Sequence, residues 1–188
     1  VVDSIVDRLI DDIVDGSLDE AFAGDRAGRH DATSPTADAT VRIRGHARVI
    51  DGDTLELDGV RVELYGIDAP ESEQHCRKPP TGAWPCGEQA RLALDFALGD
   101  GALTCTIVDG SGARPGRCFA GGRDLGRWLV VRGLALADRS AGVEVLLAAE
   151  RAARAAQRGL WSSAFVRPWN WRRGVRLVPP ITADDVED

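Results

Sequence analysis

Alternating apolar and polar residues predict β-strands in the middle of the chain. From Val41 onward, "VRIRGHARVI" and "TLELDGVRVELYGI" alternate as strands with one buried face do. Asp58-Gly59 divides the second run and is a strong signal for a two-residue hairpin turn. "ALTCTIVD" and "RCFAGG" predict two further strands around the turn "GSGARPG".

Helical periodicity follows or separates these strands. "GEQARLALDFALGDG" predicts a helix that ends near Gly99, "RDLGRWLVVRGLA" a short helix, and "GVEVLLAAERAARAAQRGLW" a longer one. The order β-β-β-α-β-β-α-α predicts the α+β class. We expect a five-stranded antiparallel β-barrel of the OB-fold type with about three packed helices.

The two ends of the chain differ from its middle. "VVDSIVDRLIDDIVDG" has apolar residues at helical spacing with Asp between them, which predicts an acidic amphipathic helix within residues 1–24. This helix packs either within the chain or in self-association. A linker is predicted at 25–40, a globular domain at 41–174 and an acidic tail at 175–188.

The net charge of −7 is concentrated at these acidic ends, so that the middle segment is mildly basic. A polyanionic partner is therefore not excluded. No apolar run approaches the roughly 20 residues of a membrane span, and we expect no membrane partner.

Four carboxylates lie at the rims of the predicted strands: Asp51, Asp53, Asp68 and Glu71. One Asp-Gly-Asp alone indicates a turn, but a second group in "IDAPE", stiffened by Pro70, favours a site for a hard cation. A symmetric hairpin places Asp53 opposite Leu64, about 13 Å along the strand from Asp68. Only a strong bend or a bulge would bring the two groups together.

Several motifs together resemble the staphylococcal nuclease (thermonuclease) family. They are, in order, "VIDGDTLEL", "VELYGIDAPE", "PGRCFA", "GRDLGRWLVVRGLA", "AERAARAAQRGLW" and "RPWNWRR", and they span roughly residues 43–173. The resemblance implies an OB-fold that cleaves DNA and RNA phosphodiester bonds with calcium.

The resemblance also implies roles for individual residues. These are the calcium ligands Asp53, Asp68 and the main-chain carbonyl of Ala69; the general base Glu71; the phosphate-binding Arg117; and, beside the ligands, Asp51 and Thr54. Pro115 replaces the tyrosine that the family commonly has two residues before this arginine.

Glu63 departs from the family pattern, which has a second phosphate-binding arginine five residues before the aspartate of "DAPE". Two unit charges ~4 Å apart interact by about 4 kcal/mol near a protein surface, so this reversal is expected to slow cleavage. Arg61 lies on the same strand face, about 6.6 Å away, and could compensate. We therefore predict a calcium-dependent nuclease of reduced activity on single-stranded DNA or RNA. The alternative is an inactive domain that binds nucleic acid or a protein partner.

The four cysteines predict two disulfides. Cys105 and Cys118 face each other across the second hairpin, and Cys76 and Cys86 bracket a loop rich in turn residues. Two disulfides indicate an oxidising compartment, the bacterial periplasm or the exterior. A zinc site that uses cysteines with His75 is the alternative, although the spacing suits it poorly.

Tryptophans offer a further candidate contact. Trp84 lies in the disulfide-bracketed loop and is the better candidate for touching substrate. Trp161, Trp169 and Trp171 are interpreted as anchors of a terminal helix.

Overall fold

A computed structural model describes residues 41–78, 82–108 and 114–178 of the 188-residue chain. The predicted N-terminal helix at 1–24 and linker at 25–40 lie outside the described residues, as does the tail from 179 onward. Residues 175–178, where the predicted tail begins, are described, and the carbonyl of Val178 accepts a 2.9 Å hydrogen bond from Arg77 Nη1.

The domain is of mixed α+β composition. Its strands are β1 (Arg42–Gly45), β2 (Ala47–Asp51), β3 (Thr54–Leu57), β4 (Val60–Leu64), β5 (Ile67–Asp68), β6 (Cys76–Lys78), β7 (Gly82–Trp84), β8 (Leu103–Ile107), β9 (Pro115–Ala120), β10 (Arg123–Asp124) and β11 (Leu136–Ala137). Its α-helices are α1 (Cys86–Leu98), α2 (Leu125–Val131), α3 (Glu144–Ala155) and α4 (Pro168–Arg172). Short 3-10 helices span Arg139–Ala141 and Gly159–Ser162.

The main sheet runs in the order β1-β8-β9-β4-β3-β2, with β10 beside β9. Its two end strands, β1 and β2, follow each other in the chain with only His46 between them. Residues 42–51 therefore pair with β8 on one side and with β3 on the other, so the path returns to its first strand as a ring of five.

One neighbouring pair in this ring is parallel, namely β4 with β9, where Glu63 pairs with Pro115 and Leu64 with Gly116. The prediction of an entirely antiparallel barrel is therefore wrong at this pair. The reason is topological: a closed ring with an odd number of strands cannot alternate in direction throughout.

The sheet and helices enclose a core of aliphatic side chains. Leu55, Val62 and Leu103 point inward and are fully buried, and Leu94 of α1 packs in the same cluster. Each fully buried Leu or Val side chain contributes roughly 1.5–3 kcal/mol to stability. A second, smaller cluster comprises Cys76, Cys86, Leu136 and Leu160, with Trp84, Trp161, Phe165 and Trp169 packed against it.

The α-helices of the described residues differ in whether the sequence predicts them. Helices α1, α2 and α3 occupy the segments that periodicity predicts, and α2 begins where the carboxylate of Asp124 accepts a 2.9 Å hydrogen bond from the N–H of Arg127. The sequence patterns did not predict α4, which is only five residues long. None of the helices within the described residues is long and apolar enough to cross a membrane.

Candidate active site

An open cavity of about 910 Å³ lies at the rim of the sheet, where β2, β4 and β5 meet the C-terminal segment. Most of its charged walls come from residues that the sequence analysis had singled out. Its lining includes Asp51, Asp53, Thr54, Arg61, Glu63, Asp68, Glu71, Arg167, Trp169 and Arg172. Acidic and basic groups thus face one solvent-accessible space.

Asp53 crosses the gap that a flat hairpin would leave. Its main-chain oxygen accepts a 2.8 Å hydrogen bond from the N–H of Leu64, which is the register that the Asp58-Gly59 turn predicts. Its side chain bends away from that register, and Oδ2 accepts a 2.8 Å hydrogen bond from the N–H of Ala69. The β2–β3 register shifts between Val49 and Asp51, which is the kind of irregularity the sequence required.

Gly52 allows this close approach. A Cβ at this position would lie 2.9 Å from the Cβ of Ala69 and 3.0 Å from that of Ala90, both closer than carbon atoms normally approach. Any other residue would therefore push the loop that carries Asp53 away from the "DAPE" segment.

The carboxyl group of Asp53 is electrostatically unusual. Burial raises its pKa to about 7, and the neighbouring carboxylates of Asp68 and Asp51 act in the same direction. The N–H of Ala69 and the hydroxyl of Thr54, which donates to Oδ1 at 3.0 Å, favour the charged form but do not outweigh burial. Both oxygens thus accept hydrogen bonds from neutral groups rather than from a basic side chain.

Asp51 and the start of α1 hold the segment that carries Glu71. Oδ1 of Asp51 accepts hydrogen bonds from the N–H of Gly52 at 2.8 Å and from the hydroxyl of Ser72 at 2.7 Å. Helix α1 presses on the same segment so closely that a Cβ on Gly87 would lie 1.6 Å from the carbonyl oxygen of Glu71. These contacts fix the backbone on both sides of the Glu71 side chain.

Gln74 links this segment to the C-terminal part of the chain. Its N–H donates to the carbonyl of Glu71 at 2.7 Å, and its fully buried side chain donates from Nε2 to the carbonyl of Val166 at 2.6 Å. The position of Glu71 is therefore coupled to residues that lead into α4.

Arg172, at the end of α4, contacts two of the carboxylates. Its Nη1 and Nη2 each donate a 2.9 Å hydrogen bond to Asp68, one to each carboxylate oxygen, and Nη1 also donates to Glu71 Oε1. Burial raises the pKa of Glu71, and Arg172 opposes the rise. Sequence reasoning missed this residue, because 104 positions separate it from Asp68 and only the motif "RPWNWRR" marked its segment.

Of the three other charged residues that the sequence analysis named, two line the cavity. Arg61 and Glu63 are exposed on its β4 wall. Arg117 lies instead at a neighbouring small cavity with Tyr65 and Gly116, and its guanidinium carbon is 5.8 Å from the centre of the Tyr65 ring. Tyr65 lines both cavities, whereas Arg117 lines only the small one of the two.

Both predicted disulfides are present, Cys76–Cys86 with a Cα–Cα distance of 5.6 Å and Cys105–Cys118 with 4.1 Å. All four cysteines are thereby used, so the zinc alternative with His75 is wrong. Trp84 packs on the small cluster beside the first disulfide, whereas Trp169 both packs there and lines the cavity. The tryptophan at the candidate site is thus one that the sequence analysis treated as an anchor.

The donor chemistry of the site suits a hard cation such as calcium. Asp53 and Asp68 offer carboxylate oxygens, which such ions prefer. Among the described residues, the Asp53 oxygens accept hydrogen bonds from Ala69 and Thr54, whereas the Asp68 oxygens accept from Arg172. No group of three or more histidine, cysteine, aspartate or glutamate side chains in the described ranges is arranged to hold a metal ion. The protein ligands that the resemblance implies are two carboxylates and one main-chain oxygen, which is a smaller set of side chains than such a group.

A ring of five strands with helices packed against it is consistent with an OB-like fold. The family model described as "Staphylococcal nuclease homologue" matches residues 61–163, and the chain belongs to this family. Members of the family are typically nucleases that bind nucleic acid and normally use calcium.

A curated relative is also similar to this chain. It is the "Succinoglycan biosynthesis protein ExoI" of Rhizobium meliloti (strain 1021), 39% identical over 130 residues. The similarity covers 66% of this chain and 68% of the relative.

Proposed function

We propose that this chain is a calcium-dependent nuclease that hydrolyses phosphodiester bonds in single-stranded DNA or RNA at a reduced rate. The observation that carries the proposal is the meeting of Asp53, Asp68 and Glu71 in one cavity, with the Asp53 carboxylate hydrogen-bonded to Ala69. Family membership supplies the reaction class.

In this proposal the carboxylates of Asp53 and Asp68 and the main-chain carbonyl of Ala69 hold the cation. Calcium, when bound, stabilises negative charge that develops on the phosphoryl oxygens. Asp51 and Thr54 keep the ligands in place through the hydrogen bonds to Ser72 and to Asp53. Burial raises the pKa of Asp53 to about 7, and the carboxylates of Asp68 and Asp51 act in the same direction, so a bound cation would favour the charged form.

Glu71 is proposed as the general base. It lies in the same cavity, and the contacts of Gly87 and Gln74 with its carbonyl restrict its position. A raised pKa makes its carboxylate a better acceptor for the proton of the attacking water near neutral pH.

The basic residues are proposed to bind the phosphate, with Arg61 on the cavity wall and Arg117 behind Tyr65. To contact a phosphate beside the carboxylates, the Arg117 side chain would have to move away from the Tyr65 ring. Glu63 faces the same space and opposes an incoming phosphate, which is why we propose a reduced rate.

The experiment is a cleavage assay on an end-labelled single-stranded DNA in calcium, in magnesium and in chelator. We expect slow cleavage in calcium only, and its loss in Glu71→Gln. Glu73→Gln is the matched control, because Glu73 is exposed two residues away and does not line the cavity. No cleavage by the wild type in calcium over prolonged incubation would contradict the proposal.

The second candidate is a nuclease-like domain that binds nucleic acid or a protein partner without cutting. The hydrogen bonds of Arg172 to Asp68 and Glu71 favour it, because they engage two of the proposed catalytic groups. Because the relative is a succinoglycan biosynthesis protein, succinoglycan is a further ligand to test. Binding of any of these ligands together with the absence of cleavage would select this candidate.

We further propose that residues 41–174 form the functional domain and that it works in the bacterial periplasm or exterior. The two disulfides support an oxidising compartment. Self-association through residues 1–24 remains a separate proposal that a mass measurement in solution would test.

A further inference from the structure

The basic side chains near the carboxylate cavity are not those that the family resemblance implies. The family pattern places an arginine at position 63, where this chain has a glutamate. Arg117 lies behind Tyr65, beside a different small cavity. The guanidinium in direct contact with the carboxylates is instead that of Arg172, which contacts Asp68 with both terminal nitrogens and Glu71 with one.

The C-terminal segment that carries Arg172 is held at several points by the residues that follow Glu71 in the chain. Arg77 of β6 and Ala164 exchange two main-chain hydrogen bonds of 2.9 and 2.8 Å. Gln74 holds the carbonyl of Val166 at 2.6 Å, and Pro168 at the start of α4 is buried. Because β6 is itself tied to α1 by the Cys76–Cys86 disulfide, Arg172 projects from a supported helix end rather than from a loose tail.

The guanidinium is nevertheless accessible to a ligand. The Arg172 side chain is 48% exposed, whereas those of Asp68 and Glu71 are 14% and 26% exposed. A planar guanidinium with two parallel donors matches a phosphate group as well as it matches a carboxylate. When a cation binds Asp68, its positive charge weakens the attraction between this carboxylate and the Arg172 guanidinium.

We propose that Arg172 is a further phosphate-binding cation of this site, in addition to Arg61 and Arg117, and supplies the positive charge that Glu63 fails to provide. This inference rests on the proposed function, and it assigns substrate contact to a residue to which the family resemblance gives no role. Without ligand, Arg172 pairs with Asp68 and Glu71; with cation and nucleic acid bound, it donates to a phosphate of the strand. Trp169, one turn earlier on α4, lines the same cavity, and the guanidinium carbon of Arg167 lies 5.3 Å from the centre of its ring.

The test uses the full chain and a non-hydrolysable probe, a single-stranded tetranucleotide with phosphorothioate linkages, at saturating calcium. Arg172→Gln should weaken binding of this probe roughly tenfold or more, since a charge-assisted bidentate contact is lost. Arg172→Lys should weaken it less, because a point charge remains without the paired donors. Calorimetry gives the affinities, and thermal melting checks that each variant is folded.

Arg173→Gln is the matched control, because it removes the same charge from the neighbouring position. Within the described part of the chain, the Arg173 guanidinium donates to the carbonyl of Trp169 at 3.1 Å and to Asn170 Oδ1 at 3.0 Å, both in its own helix. We expect it to bind the probe within about threefold of the wild type.

A separate calcium titration without the probe distinguishes Arg172 as a ligand-binding group from Arg172 as a competitor. We expect Arg172→Gln to bind calcium at least as tightly as the wild type, so that its weaker binding of the probe cannot come from a lost metal. Probe affinity equal to the wild type, or equal weakening in the Arg172 and Arg173 variants, would overturn the inference. A wild type that binds neither calcium nor the probe would instead overturn the proposed function itself.

Discussion

The N–H of Ala69 donates a 2.8 Å hydrogen bond to the carboxylate of Asp53, although sixteen positions separate the two residues in the chain. The bond joins the loop after β2 to the loop after β5, across the hairpin between them. It brings the two acidic motifs of the sequence to one side of a single cavity.

The first prediction concerns the stability of the metal-free protein as a function of pH. The pKa of Asp53 is about 7 in the folded chain, above its ordinary value of 3.8. Between these values the folded state keeps a proton that the unfolded state has released, so the contribution of Asp53 to the free energy of unfolding falls as pH rises. It is fully present below about pH 4 and is lost as pH rises through 7, at about 1.4 kcal/mol per unit of pKa difference.

Urea unfolding in chelator between pH 4 and pH 8 checks this, with Asp53→Asn as the comparison. The wild type should lose stability relative to the variant across that range. Parallel curves for the two proteins would show that Asp53 does not titrate as described.

The second prediction concerns Glu63. Replacing it with arginine should raise the rate constant kcat/KM for single-stranded DNA by at least about tenfold, because repulsion of the phosphate becomes attraction. The same charge change in Glu73→Arg, outside the cavity lining, should alter the rate by less than about threefold. Equal effects in the two variants would mean that only overall charge matters.

The third prediction links positions 63 and 172. If Arg172 replaces the missing arginine, Glu63→Arg should restore most of the binding that Arg172→Gln loses. Double-mutant analysis of probe affinity would then give a coupling between the two sites. Strictly additive effects would separate their roles.

The fourth prediction distinguishes the two disulfides. Replacing Cys76 and Cys86 together with alanine should cost roughly 2–4 kcal/mol of stability, as should replacing Cys105 and Cys118. Only the first pair ties β6 to α1, whose Gly87 contacts Glu71. We therefore expect the first double variant to lose more of the cleavage rate, measured where both proteins are folded, and equal rates would contradict this.

Local turn chemistry explains which parts of the fold were predictable from sequence. The Asp58-Gly59 turn fixes the β3–β4 register, in which Thr54 pairs with Glu63. The β8–β9 register, with Cys105 opposite Cys118, is the one that the sequence predicts. Both depend on residues close in sequence, whose geometry a short pattern specifies.

The parts that could not be predicted depend on distant packing. Helix α4 spans five residues, which are too few for a periodic pattern. The ion pair of Arg172 with Asp68 joins residues that lie 104 positions apart in the sequence. The place of Arg117 behind Tyr65 likewise depends on how β9 packs beside β4. The resemblance supplied the carboxylates, whereas only the structure identified the basic residue in contact with them.

The most direct test of the account is a calcium titration of the wild type and of Asp53→Asn, measured by calorimetry. Asp58→Asn is the control, because this substitution makes the same chemical change at an exposed residue of the hairpin turn. We predict one calcium ion per chain in the wild type and in Asp58→Asn, and none in Asp53→Asn at the same concentrations. Calcium binding that is the same in all three proteins, or absent from the wild type, would contradict a cation site built on Asp53 and Asp68.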